Sequence, residues 1–546
     1  MAARFCSRNE RPITRAGSFI AAATAAMLVA SVAHAAPDPA SEPLLKSTSD
    51  HTKFKLLQRE FDSGPEVTKA CLSCHTEAAK QLHRTQHWKW EFLNPDGQRL
   101  GKKHVINNFC TSVASNYASC TTCHVGYGWK DDKFDFTSEA NVDCLICHDS
   151  TGNYRKQPGL AGNVVTKPME IPPGSGNIAK PIDLKKIAQA VAKTSRDNCG
   201  ACHFFGGGGD GVKHGDMDSS LASPDKALDV HMDATGSNFA CATCHMTEGH
   251  QVPGSRYAPT AQDKGSAHLR GKEYTTNPTT CQSCHGQAPH KANAKLDDHT
   301  DKVACQTCHI PAYARGGVPT KLSWDWSTAG KMGSDGKPLT VKDARGRIIY
   351  TAAKGDFVLG ENVVPDYMWF NGKVKYTLRG DKVEKGDQPT LINHFEGSPE
   401  DGKSLIWPVK VMRGKQAYDP ENKTLAVLHM AGNDDTAFWT NFNWERAVAV
   451  GMASVGAPFS GKVDFLATES TWPITHMVAP AKDALRCRDC HASGGRLEKV
   501  TGIYIPGRAG DHAIWLEAAG WAIAALSLLG ALGHGLARLI VSKRKK

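Results

Sequence analysis

The sequence predicts a mainly α and irregular chain, with a smaller part containing short β-strands and one C-terminal transmembrane helix. Three observations lead there. The pattern Cys-x-x-Cys-His occurs eight times. An interval of roughly 175 residues before the last occurrence lacks it and alternates apolar with polar residues. An uncharged run of about twenty residues, Ala518 to Ala537, lies near the C-terminus.

The N-terminus reads as an export signal over residues 1–35. Arg4, Arg8, Arg11 and Arg15 precede an Ala-rich apolar stretch, and Ala33-His34-Ala35 supplies the small-x-small cleavage pattern. Cleavage is expected after Ala35, with Ala36 as the alternative. The apolar run is short for a membrane-spanning anchor. The C-terminal run, placed in a helix over 513–537, matches a bilayer in length, with Trp515 and Trp521 at the interface. The basic tail 538–546 stays in the cytoplasm by the positive-inside rule, which puts the bulk of the chain on the periplasmic side of the inner membrane.

The formal charge of +10 overstates how basic the exported part is. Loss of the leader leaves +7, of which the cytoplasmic end carries +5. No basic stripe with interleaved aromatics is present, so nucleic acid is not an expected partner. Gly (51) and Pro (28) are plentiful, so aliphatic packing alone is a poor account of what holds the chain together.

The cysteines decide the class. Of eighteen, Cys6 leaves with the leader. Sixteen of the rest build eight motifs: Cys71, Cys74 and His75; Cys120, Cys123 and His124; Cys144, Cys147 and His148; Cys199, Cys202 and His203; Cys241, Cys244 and His245; Cys281, Cys284 and His285; Cys305, Cys308 and His309; Cys487, Cys490 and His491. Composition alone would supply roughly 0.03 such motifs, so eight are not chance. Two thiols at this spacing reach the two vinyl groups of one haem, and the adjacent histidine becomes the proximal iron ligand. Zinc binding and disulfides are the competing readings, but neither explains a histidine after every pair. The expected cofactors are eight covalently bound haems c, and the expected fold class is a multihaem cytochrome c with a haem-packed core. Seven motifs fall within a haem-rich domain, 36–320. The eighth closes a haem-poor region, 321–512, which ends in a linker.

Haems that only pass electrons take a second strong ligand. Outside the motifs the exported part holds fourteen histidines, more than enough. The candidates are His87, His104, His214, His231, His250, His290, His299 and His476. His51, His83, His394 and His429 belong to the same pool, and a surface or hydrogen-bonded role stays open for each. Two features hint at a different, reactive centre. Cys110 is the one exported cysteine outside a motif: either a reactive thiol or a small buried hydrophobe. The segment FFGGGGDGVKHGD follows His203 directly. Its four glycines permit close backbone approach to a planar group, and Asp210, Lys213 and His214 follow them. A site is favoured there over a plain linker.

At these residues the sequence resembles the octahaem tetrathionate reductase family. HVINNFC, NVDCLICHDSTGNY, RDNCGACHFFGGGGDGVKHGDMD, VACQTCHIPAYAR and WDWSTAG carry the resemblance, which spans about Cys71 to Arg496. It implies that one haem, on Cys120, Cys123 and His124, is the active site with lysine as distal ligand. The matching lysine is Lys213, with Lys156 as the alternative, and Asp210 and Cys110 line the pocket. It implies a sulfur oxyanion, tetrathionate, as substrate, with nitrite or hydroxylamine also plausible. A lysine that sheds its proton on desolvation makes a displaceable ligand. A Cys110 thiolate is chemically able to attack a sulfur–sulfur bond.

Between the seventh and eighth motifs, RIIYTAAKGDFVL and KVKYTLRGDKV read as short strands or hairpins. This region either wraps the haem core or forms a structural lobe. The leading functional reading is a membrane-tethered reductase. Its electron partner is a membrane quinol dehydrogenase or a periplasmic cytochrome. The alternative is a non-catalytic carrier between the quinone pool and periplasmic partners. Nitrogen-oxide reductases of similar haem content use a Cys-x-x-Cys-Lys motif, and none occurs here.

Overall fold

A computed structural model describes residues 48–94, 96–106, 112–171, 175–255, 279–511 and 514–545. The expected leader and Cys110 lie outside the described residues.

In the first half, order is local and short-ranged. The helices are Gly64–Leu72, which begins at Pro65 and ends in the first motif, Arg196–His203, and several single turns built on motifs. The reason is the motif itself. In the first, third, fifth, sixth and eighth motifs the histidine amide bonds back to the first cysteine's carbonyl, at 2.8–3.2 Å. That is one α-helical turn, and it sets both sulfurs and the imidazole around one point. The Arg196–His203 helix starts from a reciprocal Ser195–Asn198 capping box and ends at the motif histidine. Small apolar clusters fill the gaps, the main one around Val67, Trp88, Leu145 and Ile187.

The second half is a ten-stranded mixed sheet. Its strands are β1 (Thr320–Asp325), β2 (Thr340–Lys342), β3 (Ile348–Thr351), β4 (Gly355–Gly360), β5 (Asp366–Phe370), β6 (Val374–Tyr376), β7 (Thr390–Phe395), β8 (Leu405–Asp419), β9 (Thr424–Leu425) and β10 (Asp464–Pro473). The order is β6-β7-β10-β8-β1-β4-β3-β2, with β5 and β9 also paired to β8. The spine is β8 against β10, antiparallel from Val409–Pro473 to Tyr418–Asp464. One side packs Trp324, Trp326, Met412, Phe438 and Trp472, and another cluster gathers Phe370, Phe395, Trp407 and Val409.

This sheet corrects the expectation of short strands only. β8 runs 15 residues and β10 runs 10. Residues Leu405 to Met412 are buried throughout, so β8 lacks the alternation that marks a half-exposed strand. KVKYTLRGDKV supplies a short strand, Val374–Tyr376, which pairs with β7. RIIYTAAKGDFVL does form the β3–β4 hairpin.

The C-terminal helix, Ile514–Arg544, is long and apolar enough to cross a membrane, and none of its apolar window is buried against the rest of the chain. It continues past residue 537 into the basic tail, because nothing in Arg538–Arg544 breaks a helix.

Candidate functional site

Six of the eight motif histidines have a second imidazole set opposite them. The pairs are His75–His51 (ring centroids 6.5 Å apart), His203–His87 (6.1 Å), His285–His231 (6.1 Å), His245–His476 (6.4 Å), His309–His290 (6.0 Å) and His491–His299 (6.0 Å). Two nitrogen–metal bonds of about 2 Å put the centroids of two axial imidazoles roughly 6 Å apart. The spacing therefore fits one iron between each pair. His250 lies within electrostatic reach of His148 and His75, with its Nδ1 2.9 Å from Gln81 Oε1.

The donor chemistry fits haem as well. All sixteen motif cysteines are free, not paired in disulfides. Among the described residues no three of His, Cys, Asp and Glu converge as zinc would require. Burial lowers the pKa of His87, His231, His245, His250 and His309, so these imidazoles are held neutral, the form that binds a metal.

The attachment points also touch one another. The sulfurs of Cys71 and Cys144, of Cys199 and Cys241, and of Cys281 and Cys305 are close neighbours. Cys147 acts electrostatically on Cys199, Cys284 on Cys244, and Cys490 on Cys308. These contacts link the motifs in the order first, third, fourth, fifth, sixth, seventh, eighth. The second motif joins as a branch at the fourth, through Cys123 and Cys202.

That branch differs in its local structure. Its last turn tightens to a 3-10 helix, Thr121–Cys123, and His124 is extended. The His124 ring is fully buried, with Trp88, Trp90, Trp129, Phe134 and Phe136 around it at 4.7–6.3 Å. Burial, reinforced by Lys156, Lys103 and Lys102, pulls its pKa down to about 3 against the Trp88 carbonyl. Among the described residues no second histidine ring packs on it; the charged groups around it are lysines.

Comparison with known proteins agrees with this geometry. Residues 70–149 match the family "Cytochrome c554 and c-prime", and residues 321–494 match "Cytochrome c bacterial". An uncharacterized protein of Archaeoglobus fulgidus is 24% identical over 246 residues, covering 37% of this chain and 80% of the relative. A crystal structure of an octahaem cytochrome c from Shewanella oneidensis is 42% identical with a TM-score of 0.71, covering 82% of this chain and 94% of that one. The chain belongs to the multihaem c-type cytochromes.

In this cytochrome the loop after the fourth motif is tightly built. Gly207, Gly208, Gly211 and Gly215 take left-handed backbone, and a Cβ on Gly215 would meet Tyr313 at 2.7 Å. Lys213 is buried, with its ammonium 4.5 Å from the Trp472 ring centre. Asp210 accepts hydrogen bonds from the Ser219 amide, at 2.8 Å, and the Ser219 hydroxyl. From β8, the fully buried Lys410 donates to the carbonyls of Val212 (2.9 Å) and Lys213 (2.8 Å) and to Thr320 Oγ1 (2.5 Å). Burial pulls the Lys410 pKa well below its ordinary value, with Asp216 opposing.

Lys156, the alternative distal lysine, lies beside the second motif. Its ammonium lies 2.8 Å from Asp143 and donates to the carbonyls of His124 and Gly126, which takes all three of its donors. His104 Nε2 sits 2.9 Å from Glu91 Oε2, and His214 packs edge-on against Trp472. His51, opposite His75, was the one facing histidine outside the sequence candidates; its only signal is that it precedes the first motif.

Proposed function

We propose that this cytochrome carries eight haems c, one on each motif, and reduces tetrathionate at the centre built on Cys120, Cys123 and His124. The observation that carries this reading is the contrast at His124. Six motif histidines face an imidazole and a seventh has His250 in reach, whereas His124 sits on a branch among aromatic rings and lysines. An iron with one fixed and one displaceable ligand supplies a place where substrate takes up electrons. Lys213 is that displaceable ligand in this reading, since it is buried, and a desolvated amine loses its proton readily. Lys102 stacks on Trp90 at 4.5 Å and Lys103 on Phe136 at 3.9 Å, so the rim of the His124 cage is cationic and favours an anion.

Two electrons cleave the central sulfur–sulfur bond of tetrathionate and leave two thiosulfates. Cys110 is proposed to assist by thiol exchange, and Asp210 to line the pocket. Nitrite and hydroxylamine are the other candidate substrates. The helix Ile514–Arg544 is proposed to hold the chain on the periplasmic side of the inner membrane, within reach of a quinol dehydrogenase or a periplasmic cytochrome. The test is turnover with a chemical reductant. The full-length protein reduces tetrathionate, Lys213→Ala does not, and Cys110→Ser is slowed. If the wild-type protein oxidises and reduces freely but never consumes tetrathionate, nitrite or hydroxylamine, it is an electron carrier.

A further inference from the structure

Asp216 lies three residues beyond Lys213 and is 1% exposed. Its Oδ2 accepts from the backbone amides of Thr475 (2.8 Å) and His476 (3.1 Å) and stands 3.2 Å from His476 Nδ1. His476 is the imidazole opposite His245. A buried carboxylate thus holds the far side of one facing histidine, from the same loop that carries Lys213.

Five other imidazoles in the array have neutral partners at Nδ1. His148 faces the Ala192 carbonyl at 2.9 Å, His245 the Pro253 carbonyl at 2.9 Å, His299 the Lys295 carbonyl at 3.1 Å, and His491 the Pro506 carbonyl at 3.1 Å. His250 faces the Gln81 side-chain oxygen at 2.9 Å. His231 is 4.0 Å from Asp229, too far for a hydrogen bond. His290 shares the carboxylate arrangement, with Asp297 Oδ1 at 2.7 Å.

A carboxylate behind a ligating histidine fixes the ring and makes it a stronger donor. A stronger donor and a buried negative charge both favour the ferric over the ferrous state, which lowers the reduction potential. We propose that Asp216 is a positioning residue for His476 that lowers the reduction potential of the fifth-motif centre. Asp297 does the same for the seventh. The fifth centre is also tied mechanically to the Lys213 loop. Lys410 completes that tie. It clamps the loop at Val212 and Lys213. The inference rests on the reading that His476 ligates an iron.

The experiment is a spectroelectrochemical titration of the full-length haem-loaded protein with electron paramagnetic resonance of the oxidised form. In Asp216→Asn one midpoint rises and one low-spin signal shifts, while the other centres stay in place. Asp216→Glu keeps the charge and holds that midpoint near wild type. Asp297→Asn raises a different midpoint in the same direction. His476→Ala, run alongside, removes one bis-imidazole signal. If it does, and neither asparagine variant moves a midpoint, the proposal is overturned. It is equally overturned if the midpoint rises as much in Asp216→Glu as in Asp216→Asn, because the residue is then merely structural. If His476→Ala leaves every low-spin signal intact, the ligand reading beneath the proposal fails instead.

Discussion

The two halves of this cytochrome are held together by different means. From residue 48 to about 319 the helices are mostly one turn long, and each motif is its own small scaffold. From Thr320 to Pro473 a ten-stranded sheet with buried tryptophans and phenylalanines forms a core that needs no cofactor. The difference teaches where the Lys213 loop gets its rigidity. Lys213 follows a glycine run in the loosely built half, yet it is pinned from the sheet by Lys410 and packed against Trp472. His476, just past the end of β10, reaches back to face His245. The strand-rich half is thus the wall against which the haem-rich half is set.

The strongest way to break the comparison is to prevent haem attachment. Protein exported without covalent haem is expected to lose slow amide exchange over the motif segments while β8 and β10 keep theirs. Hydrogen-exchange mass spectrometry reads this, and equal loss in both halves would contradict it. Phe438→Ala attacks the other side. Phe438 is 0% exposed and stacks within 4.3 Å of Trp444. Its loss should cost about 3–5 kcal/mol of sheet stability in thermal unfolding, without changing haem absorbance per molecule.

Lys410→Met sharpens the seam between the halves. It strips donors from two buried carbonyls, so a cost of about 3 kcal/mol is expected. Tetrathionate turnover should fall with it although Lys213 is intact. The smallest effect is acid sensitivity at the end of β8. Burial opposes the charge of Asp419, but the amides of Asn422 and Ser460 outweigh it and hold the carboxyl at about 2. A depressed carboxyl stabilises the fold above its unfolded pKa of about 4 and loses that contribution as the pH falls through 2. Asp419→Asn should flatten stability over that window.

Much of the first half was legible in the sequence because thioether chemistry demands a fixed spacing. Cys71 through His491 announce the attachment sites with no knowledge of the fold. The partners across each site were only partly legible. His290 lies near the motif it faces, but His299 crosses to His491, His87 to His203 and His476 to His245, and such pairings depend on the three-dimensional fold. His51 carried no signal beyond its place ahead of the first motif. The sheet was underestimated because β8 is buried on both faces and interrupted by Pro408 and Gly414, which hides the strand period. Lys410 was invisible for the opposite reason: a lysine in a strand reads as exposed, and only the packing shows its three acceptors.

The most direct measurement is electron paramagnetic resonance of the oxidised full-length protein, compared with Lys213→Ala. Seven low-spin bis-imidazole centres are expected, with an eighth of different ligation that alone changes in the variant. Eight bis-imidazole centres, none touched by the substitution, would contradict the account.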